Sequence, residues 1–142
     1  MQIENMSLKD VAAVHQLGKD QAAFEVSEGD TFWSREQLEQ WVKGGEDVLL
    51  VAKEGSTIVG FALSALHKHT GKATWENLYV LPSHRNKGVG AALCERMVTE
   101  LKAKGALYVC FFVRAENHEE IAYFGRRGFQ QGLNFAWFGN HL

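Results

Sequence analysis

The sequence predicts an α+β fold, with a mixed, mostly antiparallel central sheet flanked by four helices. Three observations carry that expectation. The hydrophobic period turns strand-like at Asp47 and stays so to about Pro82. Val89, Leu93, Met97 and Leu101 then recur every four residues, the stripe of a helix. Between them lies YVLPSHRNKGVGAAL, Tyr79 to Leu93, where a strand meets a helix through a turn holding Gly88 and Gly90.

The elements follow in order. QIEN, residues 2–5, reads as a short first strand. Ser7 with Asp10 resembles a capping box, and Leu8, Val11, Val14 and His15 continue at helical spacing. Residues 20–33 are irregular. Ser34 with Gln37 forms a better box, followed by Leu38 and Trp41 and stopped by Gly44 and Gly45. DVLLVAKE, STIVGFALSALH and ATWENLYVLP, separated by Gly55 and KHTGK, predict a three-strand meander. The helix over 89–104 ends at Gly105, and ALYVCFFV (106–113) suits a buried strand. The unit from Ala73 to Val113 should therefore be a right-handed parallel crossover. NHEEIAYFGRRG (117–128) predicts a short helix closed by Gly128, and LNFAWFG (133–139) a last strand.

Composition bounds the function. The 142 residues suit a single domain over 1–142, 46% hydrophobic and 23% charged. A net charge of −2 with no basic block argues against nucleic acid as a partner. The longest apolar runs, near 58–66 and 106–113, are too short to span a bilayer, so no membrane role is expected. MQIENMSLKD has no apolar segment behind a basic start, which predicts no secretory signal. Cys94 and Cys110 form no paired motif, and a cytoplasmic setting is the expectation.

The glycine turn is the strongest chemical signal. A helix N-terminus presents unpaired N–H groups and a partial positive charge, so it suits an anion. A Walker loop fails, because Lys87 precedes Gly88 and Val89 follows. A dinucleotide fingerprint fails, because Leu93 stands in the place of the third glycine. Arg-x-x-Gly-x-Gly after a strand ending Val-x-Pro remains. Gly88 and Gly90 let amides approach an anion, while Arg85 and Lys87 add charge.

This string resembles the coenzyme loop of the GNAT superfamily of acetyl-CoA-dependent N-acetyltransferases. NHEEIAYFGRRGF is similar to that superfamily's second signature, and the element order matches from residue 2 to about 138. The resemblance implies that amides of Asn86, Lys87, Gly88, Val89, Gly90 and Ala91 bind the coenzyme A pyrophosphate. It implies that the main chain of Leu78, Tyr79 and Val80 pairs with the pantetheine arm, with Asn117 a further polar contact. The backbone N–H of Val80, at the family's usual strand bulge, becomes the oxyanion donor. Two departures stand out. The tyrosine acid of protein N-terminal acetyltransferases falls on Phe124, with Tyr123 beside it, and their fifth-strand glutamate falls on Phe112. The end after LNFAWFGNHL leaves room for one strand where the family has a hairpin. The sheet would then be one C-terminal strand short, with an edge that a homodimer through 133–138 would cover.

Acetyl transfer to an amine needs a neutral nucleophile, and an alkylamine of pKa about 10.4 is almost wholly protonated at pH 7. Glu76 is the candidate proton acceptor, directly or through water, placed two residues before Leu78 and so on the same face of the pleat. An ordinary exposed strand carboxylate is the competing reading. Tyr123 is the candidate acid, against a packing role. Cys94 and Cys110 read as inert thiols. His67 and His69 alternate on a strand end without a third metal ligand, so no metal is expected, and His84 flanks the loop facing phosphate or solvent. The acceptor is expected near FEVSEGDTFWS, where Glu25, Glu28 and Asp30 with Phe32 and Trp33 suit a cationic amine, or form a solvated loop over core aromatics. Trp137 lines the same cleft or caps the core. The expected activity is direct acetyl transfer from acetyl-CoA to a small-molecule amine or amino acid. A protein N-terminus or lysine, or a non-catalytic acyl-CoA-binding module, are the alternatives.

Overall fold

QIEN pairs with the next strand in the chain to form β1 (Gln2–Asn5), the first of five strands arranged β1-β2-β3-β4-β5 in the computed structural model, which describes residues 1–29 and 32–142. β2 (Val48–Glu54), β3 (Thr57–His67) and β4 (Lys72–Val80) run antiparallel as a meander. β5 (Tyr108–Cys110) pairs with β4 in parallel, as the intervening helix requires. The helices are α1 (Val11–Gly18), α2 (Arg35–Gly44), α3 (Val89–Ala103) and α4 (His118–Arg126). Met1–Cys110 and Phe111–Leu142 form two compact units.

Both capping boxes form. The Ser7 N–H and Oγ–H donate to Asp10 Oδ2 at 2.8 and 2.9 Å, and Lys53 Nζ lies 2.9 Å from Asp10 Oδ1. Residues 8–10 make a 3-10 turn that leads into α1. The Gln37 N–H donates to Ser34 Oγ at 3.1 Å, the Ser34 N–H donates to Gln37 Oε1 at 2.8 Å, and Gly45 closes α2 at φ 67°.

The sheet of the first unit has two covered faces. Leu49, Val51, Phe61, Leu63 and Tyr79 pack with Val11, Val14 and Leu38 of α1 and α2. On the opposite face, a side chain at Gly60 would meet Leu93 and Val89, so α3 covers that side. Gly18 serves α1 similarly: a Cβ there would stand 2.3 Å from the Phe32 ring. Phe32 stacks with Phe24 and tilts onto Phe61, which stacks on Tyr79. Burying these rings anchors Phe24 and Phe32 to the sheet.

Two strand expectations are corrected. The strand expected over 106–113 spans only 108–110 and is not buried: Leu107 is 86% and Tyr108 65% exposed. It pairs with the first residues of β4 alone, so apolar composition lacked a second surface to bury against. Residues 133–139 form no strand. In the second unit they run irregularly, with Leu133, Phe135 and Phe138 at least 80% exposed. A segment with no strand to pair with cannot satisfy a ladder, whatever its propensity. Among the described residues, no helix is long and apolar enough to cross a membrane.

Candidate active site

The turn after β4 begins at Leu81, whose N–H donates to Val59 O at 2.9 Å. Pro82–His84 make one 3-10 turn, Asn86 has φ 59° and Gly88 φ 86°, and α3 starts at Val89. Asn86 tolerates the left-handed region better than most residues, and Gly88 enters it freely. No side chain caps this helix start, which leaves the first-turn amides of Val89, Gly90 and Ala91 without helical acceptors. Lys87 is exposed beside them. Arg85 is engaged differently from the sequence expectation: its Nε–H donates to Val80 O at 3.0 Å, tying the turn to the end of β4. His84 does not face the turn's amides. It bonds Glu54 Oε2 at 3.1 Å and Ser83 Oγ at 2.8 Å.

The bond from Leu81 to Val59 also sets the phase of β4. It makes Gly60–Val80 a non-hydrogen-bonded pair, and two residues back Ala62–Leu78 another. The N–H and C=O groups of Leu78 and Val80 therefore point away from β3. Those of Tyr79 point toward β3, where Phe61 takes them up. β5 pairs with β4 only over 72–74, so the outward groups of Leu78 and Val80 have no strand partner among the described residues. Of the three residues expected to meet the pantetheine arm, two present their main chain.

The bulge of β4 is at Glu76, not Val80. Leu63 pairs with Asn77 and Ser64 with Trp75, and Glu76 is the extra residue. Cross-strand partners share a face, so Trp75 joins Ser64 on the α3 side and Leu78 joins Ala62 there. Glu76 and Asn77 both turn to the α2 side. Glu76 thus lies on the opposite face from Leu78, because one inserted residue reverses the alternation that sequence spacing assumes.

On that α2 side, Glu76 lines a cleft of about 490 Å³ with Trp33, Trp41, Glu36, Asp47 and Ala65. Trp33 and Trp41 meet edge to face at 5.3 Å. The Trp33 Nε1–H donates to Asn77 Oδ1 at 2.8 Å, which anchors the indole to the residue after the bulge. Asp47 accepts from Trp41 Nε1 and from the Leu66 N–H, both at 2.7 Å. Though Glu76 is exposed as a residue, its carboxyl is partly desolvated in the cleft, and that burial, then the charge of Asp47, raises its pKa above the ordinary 4.5.

Other sequence candidates sit elsewhere. Phe32 belongs to the core, Glu25 and Glu28 are exposed and outside the cleft, and Asp30 lies outside the described residues. Glu36 and Asp47 were missed, since nothing local marks them and only folding brings them to Glu76. Cys94 is buried on α3, and Cys110 Sγ lies 3.7 Å from Ala73 O. The rings of His67 and His69 are 6.2 Å apart, and no group of three or more potential ligands is placed to hold a metal among the described residues.

In the second unit, Asn117 caps α4: its Oδ1 accepts from the Glu120 N–H at 3.1 Å and its Nδ2 donates to Glu120 Oε2 at 2.8 Å. One N–H and one oxygen lone pair of the amide remain beyond these two bonds, so the cap does not by itself bar a coenzyme contact. Phe124 is buried among Phe111 and Phe129, which accounts for a phenyl ring at that position. Tyr123 is half-buried, with the Arg127 guanidinium 3.9 Å from its ring centre. Phe112, 68% exposed, meets Trp137 edge to face at 5.2 Å.

The model of the acetyltransferase (GNAT) family matches residues 14–129, most of the chain. The chain belongs to the GNAT acetyltransferase family. As a GNAT protein it is an N-acetyltransferase, an acyl-transferring enzyme. An acetyltransferase of Sodalis glossinidius (strain morsitans) is 26% identical over 105 residues, 74% of this chain and 72% of that protein. An uncharacterized N-acetyltransferase of Methanocaldococcus jannaschii is 28% identical over 105 residues, 70% of this chain but 46% of its own length. The GNAT fold is shared with the ribosomal-protein-S18-alanine N-acetyltransferase from Escherichia coli, at TM-score 0.75 and 23% identity over 93% of this chain and 79% of that one. An aminoglycoside N-acetyltransferase solved with CoA gives 0.77 at 17% identity, covering 99% and 100%.

Proposed function

We propose that this GNAT enzyme moves acetyl from acetyl-CoA directly to a primary amine of a small molecule, with Glu76 accepting the amine's proton. The observation that carries the reading is the bulge at Glu76. It turns a carboxyl of raised pKa into a cleft beside the strand edge where a coenzyme can pair.

The coenzyme site fits the residues present. Unpaired amides at the start of α3 and the charge of Lys87 suit a pyrophosphate, with Arg85 bracing the turn against Val80. The outward main-chain groups of Leu78 and the N–H of Val80 suit an added extended arm. Acetyl-CoA, when bound, supplies an activated acyl carbon on a good leaving group.

The residues of this chain then manage protons and charge. The Val80 N–H, free on the outer edge, donates to the developing oxyanion. Glu76 and Val80 are four residues apart, ~13 Å in an extended strand, and the glutamate side chain recovers only part of that span. The proton therefore reaches Glu76 through water. The ammonium gives its first proton through water to Glu76, which passes it to solvent. As the carbon–nitrogen bond forms and the carbon–sulfur bond breaks, Glu76 takes the nitrogen's second proton and the sulfur departs as thiolate. A thiol of pKa about 8.5 needs little help to leave, so Tyr123 is not required as an acid.

Phe124 and Phe112 stand where protein-directed relatives carry polar groups, which favours a small amine over a protein N-terminus. Glu76→Gln should leave acetyl-CoA binding intact and lower kcat by about 10²–10⁴, the usual scale of general-base help. The deficit should shrink as pH approaches the amine's own pKa. Tyr123→Phe should cost far less. The reverse ranking would overturn the assignment.

A further inference from the structure

Resting on that direct-transfer reading, we propose that the cleft beside Glu76 selects small organic polycations. The acceptor is a primary amine carrying at least one further ammonium group. Asp47 holds the second ammonium against the Trp33 and Trp41 rings while the reacting amine faces Glu76.

Charge is the first argument. Glu36, Asp47 and Glu76 all line the cleft, and no lysine or arginine does. The charge of Asp47 bears on Glu76, and a bound cation relieves that repulsion. The metal alternative lacks support in geometry, since no three ligands converge among the described residues. Two indoles inclined at 75° offer both ring faces and edges, and an ammonium is attracted to the faces.

Fixity is the second argument. Each oxygen of Asp47 accepts one N–H at 2.7 Å, from Trp41 and from Leu66. Those bonds hold the group still, while each oxygen keeps a lone pair for an ammonium. A carboxylate so held gives direction as well as attraction. At about 490 Å³, the hollow is of small-molecule size. A peptide with a free N-terminus would set neutral backbone against Asp47, which leaves that charge unanswered.

The test is a matched acceptor series, followed by thiol release from acetyl-CoA. It contains 1,4-diaminobutane, spermidine, the amino sugar neamine, n-butylamine, and a lysine-free hexapeptide with an N-terminal alanine. At least one polycation should exceed butylamine and the peptide by about tenfold or more in kcat/KM, mainly through KM, the scale of one charged hydrogen bond. Whether the aliphatic amines or neamine lead decides the source of the cation. Asp47→Asn should raise the polycation KM about tenfold and pull the polycation-to-butylamine ratio toward one. Glu36→Gln, on the exposed face of α2, should shift the same ratio less, and it serves if Asp47→Asn fails to fold. Butylamine or the peptide equalling the polycations would overturn the selection and leave direct transfer standing. If no amine releases thiol although acetyl-CoA binds, the reaction reading fails instead. Calorimetry with hexamethonium, a permethylated diammonium that cannot be acetylated, then decides the cleft by itself. Binding that Asp47→Asn abolishes supports the site, and absence of binding overturns it.

Discussion

Glu76 and Asp10 are carboxylates pushed in opposite directions. Burial in the cleft, then Asp47, raises the pKa of Glu76 above 4.5, so the folded chain holds that proton more tightly than the unfolded one. The folded state therefore loses stability as pH rises from the unfolded value through the raised one. Glu76→Gln should melt higher than wild type at pH 7.5, and the gap should close near pH 4; melts at the two pH values check this. The same shift predicts that the acid limb of kcat/KM lies above the ordinary glutamate range. For Asp10, burial would raise the pKa, but the bonds from the Ser7 N–H, Lys53 and the Ser7 hydroxyl outweigh it and the net shift is downward. Its contribution is present above about 3.8 and is lost as pH falls through the depressed value. Asp10→Asn should lower Tm at neutral pH, with the difference fading in strong acid. Asp10 was legible as a cap from its spacing to Ser7. Its link to Lys53 was not, because that pair forms only when β1 and β2 align.

Elements with local rules were the ones the sequence announced. Ser34 with Gln37 opens α2 and Gly45 closes it, because caps satisfy backbone groups within a few residues. Ser34→Ala should cost about 1 kcal/mol, a Tm drop of roughly 3 °C. Since α2 carries Glu36 and Trp41 into the cleft, the acceptor KM should rise as well. At α3, excess acetyl-CoA at ~100 times its Kd should add about 2.7 kcal/mol to the folded state. Gly90→Glu should abolish that gain by setting bulk and negative charge at the helix start, and a thermal-shift titration reads it directly. The bulge was out of reach of sequence periodicity. A bulge is defined by a pairing partner, and TWENLYV alternates plausibly in either phase. For β5, composition indicated a longer strand than its one short ladder supports.

At the scale of the whole molecule, the sheet divides labour between its faces. The α3 side frames the glycine turn proposed for the coenzyme, and the α1–α2 side frames the cleft proposed for the acceptor. The family match runs from 14 to 129, across both compact units. In the second unit, the exposed Leu133, Phe135 and Phe138 are an apolar surface that association would bury. Light scattering at high micromolar concentration should show a homodimer, and Phe135→Asp with Phe138→Asp should return it to monomer. A monomeric wild type at that concentration would remove this expectation. The extra residue of β4 has a different kind of reach. Point substitutions at 76 change chemistry but leave every neighbour on its own side of the sheet. Deleting the extra residue would restore the pleat while Trp75 stays opposite Ser64 and Asn77 opposite Leu63, each on its own side. An insertion opposite an intact partner strand is then the event that adds a side chain to one face while its neighbours keep theirs. A single-codon deletion scan through 74–78 should find that loss of codon 76 keeps the stability gained from acetyl-CoA but lowers turnover, and returning a glutamate at that point should restore it.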